Sequence, residues 1–72
     1  GMTPLMWAAR NGHAAVVARL LTHGADTEAR SDRGYTAVTL ALSKGETAIA
    51  QQIEAVRRQK GFPPTQLNLS IE

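Results

Sequence analysis

Three groups of residues in this 72-residue sequence have types and spacings that could do chemistry. His13, His23 and Asp26 form a loose set of potential metal ligands. Their spacing suits no standard zinc pattern, and the lack of cysteine removes thiolate ligands, thiolate nucleophiles and disulfides together. Neither a G-x-S-x-G elbow nor a Gly-rich phosphate loop is present. The expectation is a protein that is not an enzyme, with no cofactor and no metal. The second group is Arg30, Ser31, Asp32 and Arg33, with Tyr35 just beyond. An exposed aromatic ring beside arginines is the usual chemistry of a protein-binding hot spot. The third is Arg57, Arg58 and Lys60. These cations could meet phosphate or acidic lipid, or complement the negative end of a helix. No aromatic residue interleaves them, so stacking on single-stranded nucleic acid is unsupported.

Composition narrows the class further. Eight Lys or Arg stand against six Asp or Glu, a formal charge of +2 that gives weak steering at most. No nucleic-acid partner is expected. No run of about 18 apolar residues occurs, so no transmembrane helix and no membrane partner are expected. No leader with a small-residue cleavage site is visible. With no cysteine, the composition suits a reducing compartment. Of the 43% hydrophobic residues, 12 are alanines, and Leu, Ile, Val and Phe together number 15. A chain this size buries only ~60% of its unfolded surface, so marginal stability is expected.

The elements that position these residues repeat. An offset of 33 residues aligns Gly1 with Gly34, Thr3 with Thr36, Leu5 with Val38, Ala8 with Ala41 and Gly12 with Gly45. Ala15 then falls on Ala48, Val16 on Ile49 and Leu20 on Ile53. In the first unit Thr3 is a good N-cap and Pro4 follows at the first helical position. A helix is predicted from Pro4 to about Asn11, stopped by Gly12 in a left-handed conformation. A second helix follows from Ala14 to Thr22, with an expected buried face of Ala15, Val16 and Leu20, joined by Ala18 and Leu21. Between Gly24 and Gly34 lies a polar extended loop or hairpin arm, turning around Ser31, Asp32 and Arg33. In the second unit Thr36 caps a helix from Ala37 to Lys44, and Gly45 ends it. The last helix runs from Glu46 to about Gln59, because Arg57 stands where the first unit has Gly24; Gly61, Pro63 and Pro64 stop it. Its expected buried stripe is Ala48, Ile49, Ile53 and Val56.

These residues resemble the ankyrin repeat. The motif T-P-L-H-x-A-A appears as Thr3-Pro4-Leu5-Met6-Trp7-Ala8-Ala9. The following G-H…V-V…L-L appears at Gly12, His13, Val16, Val17, Leu20 and Leu21, and the closing G-A-D at Gly24, Ala25 and Asp26. The resemblance covers about residues 1–59. It implies an all-α fold of two stacked helix-turn-helix repeats, with a hairpin loop between them and an extended C-terminal tail. Residues 1–33 would be one repeat, begun inside its pattern, 34–60 a degenerate C-terminal capping repeat, and 61–72 a linker or strap. The chain is read as the C-terminal end of a longer array, or else as a two-repeat protein that self-associates through its open N-terminal face or its tail.

Family use implies a non-catalytic, intracellular module, cytoplasmic or nuclear, that binds another protein as scaffold or adaptor. A structural cap and a regulatory array attached to an enzyme or channel are the alternatives. Contacts are expected from Met6, Trp7, Arg10, Arg30, Asp32, Arg33, Tyr35 and Lys44. For Trp7 the competing role is packing, under the hairpin or against a preceding repeat; for the hairpin cations it is an ordinary solvated tip. His13 is expected to support the turn between helices. The position at which the family offers an asparagine for hydroxylation is held here by Glu28.

The tail departs from that pattern. Phe62, Pro63 and Pro64 should be extended, and Leu67, Leu69 and Ile71 alternate with polar residues in a strand-like period. A flexible linker, a strap onto the last helix pair and a recognition peptide or edge strand remain three open readings.

Overall fold

The computed structural model describes residues 1–65. Four helices follow in order: α1 Pro4–Arg10, α2 Ala14–Thr22, α3 Ala37–Ser43 and α4 Thr47–Gln59. There is no strand among the described residues. Each helix begins and ends within a residue or so of its predicted bounds. Asn11 and Lys44 are C-caps and Glu46 is an N-cap, rather than members of the helices. The alternating residues Leu67, Leu69 and Ile71 lie outside the described residues.

The starts of α1 and α3 are set by their first side chains. The Thr3 hydroxyl accepts the Met6 N–H, and Pro4 occupies the first turn, where its missing donor goes unnoticed. In α3 the lost proline is offset by a reciprocal capping box. Thr36 Oγ1 accepts the Thr39 N–H at 3.3 Å, and Thr39 Oγ1 accepts the Thr36 N–H at 2.8 Å.

All four helices end by the same device. The amide two residues past the last helical residue's cap donates back to a carbonyl in the final turn. The pairs are His13 to Ala8 at 2.9 Å, Ala25 to Leu20 at 3.0 Å, Glu46 to Ala41 at 2.8 Å and Phe62 to Arg57 at 2.9 Å. The residue between is a glycine at positive φ, and each glycine donates to the carbonyl one residue further along. These are Schellman ends.

The helices pack in two layers. The first helices α1 and α3 lie side by side, α2 and α4 back them, and each first helix also packs on its own partner. The core is Leu5, Met6, Ala8, Ala9, Val17, Ala37, Val38, Ala41, Ile49, Ala50 and Ile53. Five of these are alanines, whose small side chains permit close approach of the helix axes. The large side chains Leu5, Met6, Val17, Val38 and Ile53 are below 2% exposed or nearly so, each contributing about 1.5–3 kcal/mol by burial.

Burial on α2 differs from the expected face. Val17 is fully buried, Leu20 and Leu21 are half-buried, and Ala15, Val16 and Ala18 are exposed. On α4, likewise, Ala48 is exposed, Val56 half-buried and Ala50 buried. The cause is neighbourhood rather than local pattern. Val16 and Ile49 share one repeat position, yet Val16 is 45% exposed and Ile49 3%. Helix α4 has α2 packed against it, while no described element covers the far side of α2.

The loop between units is a hairpin arm, as expected. Ser31 O accepts the Gly34 N–H at 2.8 Å, Ser31 N–H donates to Tyr35 O at 2.8 Å, and Ser31 Oγ accepts the Arg33 and Tyr35 amides. That leaves Asp32 and Arg33 at the tip.

Gly12, at φ +77°, is the most constrained of the helix ends. A Cβ there would stand 2.7 Å from Glu46 Oε2, whereas one at Gly45 would meet nothing within 4 Å. Gly12→Ala should therefore cost about 1–2 kcal/mol from backbone strain and slightly more than Gly45→Ala, because the Glu46 carboxylate must move. Thermal melts of the two variants check this; equal losses would mean the Glu46 approach is immaterial.

Candidate functional site

The most connected side chain is Arg57, only 8% exposed. Its guanidinium grips Glu28 on the hairpin arm through both oxygens, Nε to Oε2 at 2.6 Å and Nη2 to Oε1 at 2.9 Å. Nη1 serves Glu54 Oε1 at 2.9 Å, the Pro63 carbonyl at 2.8 Å and Thr65 Oγ1 at 3.0 Å. The Thr65 amide returns to Glu54 Oε2 at 3.1 Å, and the Phe62 ring lies under the guanidinium, 5.6 Å from ring centre to Cζ. All three nitrogens of the cation donate to carboxylate oxygens, as a buried guanidinium requires.

The electrostatics follow from that geometry. The Arg57 hydrogen bond holds the Glu28 carboxyl below its ordinary value of 4.5, against a smaller opposing effect of burial. For Glu54 burial pushes upward, but the hydrogen bonds from Thr65 and Arg57 outweigh it and the net shift is downward. Arg57 is held still more firmly protonated, chiefly by Glu28. This is a correction to the reading of residues 57, 58 and 60 as one cationic cluster. Arg57 is committed internally and cannot meet phosphate or lipid, while Arg58 and Lys60 stay exposed.

The expected contact residues fall into three places. Arg10, Asp32, Arg33 and Tyr35 line one cleft of about 310 Å³, together with Gly1, Met2, Ser31 and Leu40. It lies where the end of α1, the hairpin tip and α3 converge. Arg30 lines a separate cleft on the other side of the hairpin, with Glu28, Thr39 and Arg57. Trp7 and Lys44 line neither; Lys44 is the exposed C-cap of α3. Trp7 is 52% exposed and stacks on His13, with ring centres 5.2 Å apart and planes 24° from parallel. It does not pack under the hairpin.

Met6 is a correction. It is fully buried, because α1 packs on both α2 and α3 and so buries two adjacent side chains per turn, Leu5 with Met6 and Ala8 with Ala9. Met6 is a core residue, not a contact. His13 supports the turn through its backbone, as N-cap of α2 with no side-chain cap bond. No cluster of three or more His, Asp or Glu residues that could hold a metal ion occurs among the described residues.

The family model described as ankyrin repeats (3 copies) matches residues 1–57. The chain belongs to the ankyrin repeat family. Among curated proteins, it is 51% identical over 47 residues to the mouse ankyrin repeat family A protein 2, covering 65% of this chain and 15% of that protein. The human counterpart is 51% identical over 45 residues, 62% of this chain and 14% of that protein. A zebrafish putative palmitoyltransferase ZDHHC13 is 34% identical over 61 residues, 85% of this chain and 10% of that protein. The chain thus spans about 15% or less of the length of these relatives.

As an ankyrin chain, this one is a protein–protein interaction module in the general sense of its family. No described helix is long and apolar enough to cross a membrane. Its departure from the repeat plan is the Arg57 network, which ties the ankyrin hairpin arm to the segment after α4. Sequence reasoning saw Glu28 only as a missing asparagine, although an acid there and a cation 29 residues later were both visible.

Arg57→Met should lower stability by about 2 kcal/mol, or about 10 °C in melting temperature. The cost falls below that of a fully buried pair because the Glu28 and Glu54 side chains keep 34% and 21% exposure. Both carboxyls have folded-state values below their unfolded ones, so their contribution is present above pH 4.5 and is lost as pH falls through the folded values. The melting temperature of the parent chain should drop as pH is lowered from about 5 toward about 3, through the carboxylate range, and Arg57→Met should show a shallower drop. Parallel slopes would mean the network is not what titrates.

Proposed function

We propose that this chain acts as a non-catalytic scaffold or adaptor module that binds another protein through the hairpin tip and the adjoining faces of α1 and α3. The observation that carries the reading is the cleft in which Arg10 of α1 meets Asp32, Arg33 and Tyr35 of the hairpin tip, more than twenty residues later in the sequence. Tyr35 is 47% exposed there, an aromatic anchor flanked by guanidiniums. Trp7, Arg30 and Lys44 extend the surface on either side. In this reading residues 1–33 and 34–60 are the two repeat units, 61–72 is a linker or strap, and the module works in the cytoplasm or nucleus.

A specific observation favours each of three other readings. The Arg57 network ties the segment through Thr65 onto the last helix pair, which supports a structural cap. The zebrafish relative's name, putative palmitoyltransferase, supports an array attached to an enzyme elsewhere in a longer protein. Self-association is supported by exposed Trp7 and Val16, and by a small apolar cleft of about 260 Å³ bounded by Pro4, Leu5, Leu20 and Ala25.

The test compares the protein with its Arg33→Ala/Tyr35→Ala variant. Both side chains are exposed, so stability should change by no more than about 0.5 kcal/mol per site. Retention of partner proteins on the immobilised variant should fall at least about tenfold. Unchanged retention here, with loss in Arg57→Met instead, would support the cap and sink the binding surface.

A further inference from the structure

Resting on the reading of the α1–hairpin–α3 cleft as a binding surface, we propose that its occupant is an extended acidic segment of a partner protein. One carboxylate side chain sits between Arg10 and Arg33, and an apolar side chain two residues away lies against Tyr35 and Leu40.

Charge decides the first half. The chain shows how it satisfies a guanidinium it means to keep: Arg57 has two carboxylates, both hydrogen-bonded. Arg10 and Arg33 have no ion-pair partner among the described residues, although both line one cleft and both are exposed. The one acid lining the cleft, Asp32, forms no ion pair with either arginine. The two arginines therefore leave a cationic site whose planar donors suit a carboxylate bound through both oxygens.

The remaining wall decides the second half. Met2 and Tyr35 are 42% and 47% exposed, and Leu40 is half-buried beneath them. The volume of about 310 Å³ lies at the bottom of the small-ligand range, enough for the side chains of one short stretch. In an extended segment, residues i and i+2 face the same way, ~6–7 Å apart. Such a segment presents a carboxylate and an apolar side chain on one face, matching a cleft lined by both arginines and by Tyr35 and Leu40.

The test is an NMR titration of residues 1–72 with three capped heptapeptides. The probe is Thr-Glu-Thr-Leu-Thr-Glu-Thr; its counterparts carry Gln, or phosphoserine, in place of each Glu. The Glu peptide should shift the Arg10 and Arg33 Nε–H signals and the Tyr35 and Leu40 amides. It should bind about tenfold more tightly than the Gln peptide, the size expected of two exposed ion pairs. Arg10→Gln/Arg33→Gln, with an otherwise unchanged spectrum, should erase that preference. Equal shifts with Glu and Gln peptides would overturn the acidic partner while leaving the binding surface in place. No shift in the cleft with any peptide would overturn the proposal too, and the surface reading would then stand or fall on the retention of partners by Arg33→Ala/Tyr35→Ala. A phosphoserine peptide at least tenfold tighter than the Glu peptide would overturn the carboxylate in favour of a phosphorylated partner.

Discussion

A single buried cation holds together the parts of this chain that local structure leaves separate. Taking an ion out of water costs several kcal/mol even after relaxation, so Arg57 is tolerable only if all of its partners arrive together. They come from three places: Glu28 on the hairpin arm, Glu54 one turn earlier on α4, and the Pro63 carbonyl and Thr65 hydroxyl beyond the helix end. The requirement reaches back into the helix itself. Helix α4 must continue past the point where α2 is stopped by Gly24, and must keep its register, since a slip of one residue would swing Arg57 by about 100° away from both acids. The α4 end, residues 63 and 65 and the hairpin arm are thereby tied together through one side chain.

Much of the fold was legible in the sequence because its signals are local. Thr3 with Pro4, Thr36, and the glycines at 12, 24, 45 and 61 mark starts and stops that depend on a few neighbouring atoms. Burial was less legible, for a reason peculiar to stacked repeats. Val16 and Ile49 read identically along the chain, and only what lies on each side separates them. The adjacent valines at 16 and 17 both fit a helical face, and the one turned toward α1 and α4 is the buried one. Arg57 was misread as a surface cation because the acid that claims it lies 29 residues away on another element.

The site was legible as residue types and only partly as positions. Arg10, Asp32, Arg33 and Tyr35 line one cleft, with the hairpin tip shaped by the Ser31 turn. Met6, a neighbour of Trp7 in the motif, points into the core instead, since a helix packed on two sides leaves only Pro4, Trp7 and Arg10 exposed. Fold membership sets what such surfaces generally do, and the individual side chains set what this one prefers.

The four identical helix ends carry a consequence for how such a chain is made and remade. Each stop is written in three or four consecutive residues and asks nothing of distant ones. A helix pair can therefore be copied, deleted or joined to another without redesigning its corners. What resists such cut-and-paste is the long-range tie between residues 28 and 57. It works like a clasp closing a string of interchangeable beads, and a pair inserted between hairpin arm and last helix would have to bring its own.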